Sequence, residues 1–73
     1  MLTVSEECLE KIKEIENDVR RHIELHREMP TSVTLSKREL KLVKEARKAG
    51  VIPEVKYKGE KKHISIRYGG YYG

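Results

Sequence analysis

Apolar positions recur with a helical period through the first 29 residues. Cys8, Ile12, Ile15, Val19, His22, His26 and Met29 follow one another at alternating steps of four and three. That spacing lays a seam along one face of a helix, and Leu9 and Ile23 widen it. The pattern predicts a long first helix from Thr3 to Met29. Thr3 with Glu6, or Ser5 alone, can cap its start. Pro30 pushes Met29 out of helical conformation and is expected to end it. Such a helix is about 36–39 Å long at 1.5 Å per residue. A compact domain of this size is about 29 Å across. One end of the helix is therefore expected to overhang and to need cover.

The period then changes. In TSVTL, Thr31 to Leu35, Val33 and Leu35 share one face, which predicts a short strand. A second helix lies within Thr34 to Pro53. Ser36 and Glu39 have capping-box spacing, and Leu35 and Leu40 occupy the staple positions. Gly50 suits a left-handed C-cap, and Pro53 forbids continuation. Leu40, Leu42, Val43, Ala46 and Ala49 form its apolar side. Lys37, Lys41, Lys44 and Lys48 form a single row on the other side. Residues Glu54 to Tyr68 alternate as a β-hairpin. A type II′ turn at Gly59-Glu60 would pair Val55 with Ile64 and Tyr57 with Lys62. Val55, Tyr57, Ile64, Ile66 and Tyr68 then share one face. Lys56, Lys58, Lys61, His63, Ser65 and Arg67 share the other. A slip of two residues leaves those faces intact.

The element order α-β-α-β-β predicts an α+β fold of two layers. Two helices cover one face of a three-stranded sheet that ends in the hairpin. A right-handed crossover places the Thr31–Leu35 strand parallel to the first hairpin strand if the two are neighbours. Residues 1–68 make one small domain, and the glycine- and tyrosine-rich residues 69–73 are expected to be a flexible tail.

Charge alters this picture more than composition does. The chain of 73 residues carries a net charge of +4. Residues 1–36 hold five Lys or Arg against eight Asp or Glu, a net of −3, and residues 37–73 hold eleven against four, a net of +7. The basic half suits nucleic acid, an acidic protein surface or this chain's own acidic half. A single cysteine excludes an internal disulfide and suits a reducing compartment. No apolar run approaches a membrane span, and the acidic start is unlike a signal peptide. A cytoplasmic protein with no membrane partner is expected.

Candidate chemistry is sparse. Lys37, Lys41, Lys44 and Lys48, with Lys56, Lys58, Lys61 and Arg67 of the hairpin, are candidate anion or nucleic-acid contacts. The same lysines also serve as a solvated helix face and as protection of a strand edge. If the second helix packs on the sheet, the two basic patches point away from each other. A winged-helix arrangement would bring them together, but it needs three helices and two are present. Lys37–Ala49 also holds no Asn or Gln to read bases. His22 and His26 have chelating spacing, but Ile23 stands where a metalloprotease motif places Glu. A third ligand would have to be His63 or Cys8. Cys8 belongs to the apolar seam and has acidic neighbours, which suits a structural thiol. No catalytic residues, cofactor or metal site is expected, so the chain reads as a non-enzyme.

The run Pro30-Thr31-x-Val33-x-Leu35-Ser36, followed by a short helix and Ile52-Pro53-x-Val55-x-Tyr57, resembles small α/β proteins encoded by bacteriophages and mobile elements. The resemblance spans residues 30–68 and implies a small accessory or virion-associated role without catalytic residues. The leading expectation is a non-enzymatic interaction module. It would dimerise through the first helix, with Ile12, Ile15, Val19, His22, Ile23 and His26 as carriers. The alternative is a nucleic-acid-binding module using the lysine row and the basic hairpin.

Overall fold

The computed structural model describes residues 5–69. Its elements are helix α1 (Glu6–His26), strand β1 (Val33–Leu35), helix α2 (Lys37–Lys48) and strands β2 (Glu54–Tyr57), β3 (Glu60–His63) and β4 (Ile66–Tyr68). The fold is α+β, with a long first helix, a shorter second one and, in place of the expected three-stranded sheet, two two-stranded sheets, β1 with β4 and β2 with β3.

Helix α1 starts at Ser5, whose side chain accepts a hydrogen bond from the Cys8 N–H, with Glu6 and Glu7 in the first turn. The Thr3 alternative lies outside the described residues. The helix ends three residues before the expected Met29. Arg27 adopts a left-handed conformation, φ 60°, and its N–H bonds the Ile23 carbonyl at 2.7 Å. Termination is thus a local C-cap upstream of Pro30.

The ends of α2 match the expected chemistry. Ser36 and Glu39 complete a reciprocal capping box. At the other end, the Gly50 N–H bonds the Arg47 carbonyl and the Val51 N–H bonds the Ala46 carbonyl, both at 2.9 Å. This is a Schellman motif, with Gly50 at φ 85°.

The strands depart from the expected sheet. The hairpin turn is Lys58-Gly59, with φ 53° and 80°, so both central residues are left-handed as a type I′ turn requires. Val55 faces Lys62, and Tyr57 faces Glu60. This is a two-residue slip from the expected register, and the same residues stay on each face. The ladder with β2 ends at Pro53, which accepts from the Ile64 N–H at 3.1 Å but has no N–H to return. Beyond that point the chain changes partner. Strand β4 pairs in parallel with β1, Val33 opposite Ile66 and Leu35 opposite Tyr68. The first strand therefore neighbours the continuation of the second hairpin strand, not the first hairpin strand. Gly69, expected in the tail, instead donates its N–H to the Leu35 carbonyl at 3.2 Å. The remaining tail residues, 70–73, lie outside the described residues.

One cluster forms the core: Cys8, Ile12, Ile15 and Val19 of α1, Leu35, Val43 and Ala46 of α2, Val55 and Ile64. The described chain measures 35 × 33 × 15 Å. The 15 Å dimension suits one helix layer on one sheet layer. Helix α1, 21 residues or about 32 Å, therefore runs within the long dimension of a flat molecule. The expected overhang came from a helix drawn too long and a domain drawn as a sphere.

Candidate functional site

The lysines of α2 owe their setting to where its carboxylates go. Glu39 turns towards α1, where it accepts from Lys11 Nζ at 2.9 Å. Its other oxygen accepts from the Ser36 N–H at 3.1 Å. The hydrogen bond from Lys11 holds the Glu39 carboxyl below its ordinary value, and the bond from Ser36 adds to this. Reciprocally, Glu39 raises Lys11 above its own ordinary value, against a smaller opposing effect of burial. Glu45, itself exposed, accepts from the buried Cys8 thiol at 3.5 Å. Both carboxylates of α2 thus sit on its α1 side.

Lys37, Lys41, Lys44 and Lys48 are all exposed, on the side away from buried Val43 and Ala46. Among the described residues, no carboxylate lies within ion-pair distance of any of them. The row runs about 16 Å along the helix. Half-buried Leu40 sits with Lys37, Lys41 and Lys44 in a shallow depression.

The hairpin carries a second basic region with partial compensation. Lys61 lies 3.9 Å from Glu54, His63 lies 3.4 Å from the same carboxylate, and Lys62 lies 3.2 Å from Glu60. Lys56 stands directly opposite Lys61, a like-charge pair that costs stability in a hairpin. Lys56 and Lys61 border a groove with Glu16 and Arg20 of α1. Glu16 accepts from the Glu54 N–H there at 3.1 Å, which covers part of the β2 edge. Lys58 lies over the Tyr57 ring at 5.3 Å, and exposed Arg67 is opposite Thr34. The apolar positions of α2 and of the sheet meet in one cluster. Their charged positions consequently leave it on the two outer faces, and the two basic regions do not merge.

The residues expected to carry self-association divide into two groups. Ile12, Ile15 and Val19 are buried within one chain, against α2 and the strands, so they have no surface left for a partner. His22 and Ile23 are half-buried and His26 is exposed. The two imidazoles pack on each other, with ring centroids 4.6 Å apart. Leu25, absent from the expected carriers, is 72% exposed on the same stretch of helix. It falls off the seam, so the periodicity gave no signal for it. Neither of the suggested third ligands stands with the histidine pair: Cys8 lies against Ser5 and Glu45, and His63 against Glu54. No helix among the described residues is long and apolar enough to cross a membrane.

Comparison of the chain with family models, with curated proteins and with solved structures gives no match.

Proposed function

We propose that this protein is a non-enzymatic module that binds nucleic acid through the outer face of α2. One observation carries the reading: both α2 carboxylates are engaged towards α1, leaving four outward lysines without an acidic partner among the described residues. A row of ammonium groups on a rigid, doubly capped helix is a surface on which a phosphate backbone releases counterions. The contacts are to phosphate, which fixes position and carries no base preference. Fluorescence anisotropy with a labelled DNA duplex at low salt tests this. Wild type should bind, and Lys41→Glu/Lys44→Glu, at two exposed positions, should bind at least tenfold more weakly with an unchanged circular dichroism spectrum. Equal affinity for the two proteins would sink the reading.

A second reading, self-association through the end of α1, is favoured by one feature. Exposed Leu25 lies beside His22 and His26 on a stretch of helix beyond the last buried residue, Val19. Light scattering at micromolar concentration tests it: a monomer removes the idea.

A further inference from the structure

We infer that the protein has two separate nucleic-acid surfaces and bridges two duplexes, one against α2 and one against the outer face of the strands. The inference rests on the nucleic-acid reading above and extends it from one surface to two. Three observations carry it. First, Val43 and Ala46 of α2, Val55 of β2 and Ile64 between β3 and β4 meet in one core, so their charged neighbours leave it on opposite faces. Second, each face holds cations with no carboxylate in ion-pair range among the described residues: the four lysines on α2, and Lys56 and Arg67 on the strands. Third, the molecule is 15 Å thick between Cα atoms. Side chains add to that spacing, so two backbones held on its faces lie more than a Debye length apart, about 10 Å at 0.1 M salt, and their mutual repulsion is largely screened.

The helix side is not uniformly basic. The exposed residues of α1 include Glu6, Glu10, Glu14 and Glu24, which repel phosphate and confine a duplex on that side to α2. On the strand side the acidic residues are partly compensated: Glu54 is shared between Lys61 and His63, Glu60 pairs with Lys62, and Glu16 of α1 borders the groove beside Lys56 and Lys61 together with Arg20. Among the described residues, Tyr57 is half-buried towards α1, where its hydroxyl donates to the Arg27 carbonyl at 3.5 Å, and Tyr68 stands opposite buried Leu35, so neither is placed beside the lysines as a platform for unstacked bases. Paired, regularly spaced phosphates are thus the matching ligand, in preference to a flexible single strand.

A two-duplex capture assay tests the inference. One 30-base-pair DNA duplex is fixed to beads and a second, fluorescent duplex is added with protein. Wild type should retain the second duplex, with retention rising and then falling as excess protein saturates each duplex separately. Lys41→Glu/Lys44→Glu and, separately, Lys56→Glu/Arg67→Glu should each still bind a single duplex by anisotropy, yet reduce capture to background. Capture that persists in the strand-face variant would overturn the inference, because the bridge would then come from association of copies through one surface. One-duplex binding by wild type without capture would also overturn it while leaving the α2 surface intact. Absence of any duplex binding at low salt would remove both.

Discussion

Three residues decide features that side-chain character alone does not announce. A Cβ on Gly69 would overlap Thr34 Cγ2, so this glycine lets β4 close on β1. Gly69→Ala should lower the urea midpoint by the equivalent of about 1 kcal/mol, the scale of an off-rotamer side chain. Adding Thr34→Ala should recover most of that loss, and a double variant no better than Gly69→Ala would contradict the packing account. Glu39 joins the capping box to the helix–helix ion pair. Its carboxyl is held below the ordinary 4.5, so its contribution is present above that pH and lost as pH falls through the lowered value. Lys11, raised above 10.5, contributes below that pH and loses its contribution as pH rises through the raised value. The pair therefore helps between those limits. Glu39→Gln keeps the cap and should cost about 0.5 kcal/mol at pH 7, a modest figure because the pair is partly exposed to solvent. Chemical denaturation at acid pH, where Glu39 is protonated, should show no difference between the two proteins. The capping box was legible from Ser36 and Glu39 alone. The bridge to Lys11 was not, because it joins positions 28 residues apart.

At the scale of elements, what repeats locally was readable and what depends on a partner was not. The apolar seam of α1 predicted its four buried residues, Cys8, Ile12, Ile15 and Val19. Alternation placed Val55 and Ile64 on the inner face. The turn type was not legible, because Gly59 can stand first in a type II′ turn or second in a type I′ turn. The second was chosen, and it forces Lys58 to φ 53°. A side chain there is strained where Asn is tolerated, so Lys58→Asn should raise stability by about 0.5 kcal/mol after the loss of the contact with Tyr57. Thermal denaturation checks it, and an unchanged or lower midpoint would show that the turn is not the type described. The pairing of β1 was hidden for a different reason. Residues 60–68 alternate without a break, yet Pro53 ends the ladder with β2 and frees the last strand for β1.

At the scale of the molecule, flatness explains why the long helix changes role. Its apolar seam covers the chain's own core, so the part left for a partner shrinks to the stretch around Leu25. If copies associate there, Leu25→Arg should leave only monomer by sedimentation while thermal stability stays within about 0.5 kcal/mol of wild type, as for an exposed position. Loss of folding in that variant would mean that Leu25 belongs to the core. The separation of acidic α1 from the two basic faces was visible in the charge of the two halves. Which lysines stand unpaired was not, since that depends on Glu39 and Glu45 turning towards α1. The salt dependence of duplex affinity tests the central claim most directly. If all four α2 lysines neutralise phosphates, the slope of log K against log salt should be about −3.6, and Lys41→Glu/Lys44→Glu should shallow it by about 1.8 or more. A slope near zero for wild type, or the same slope for both proteins, would contradict the account.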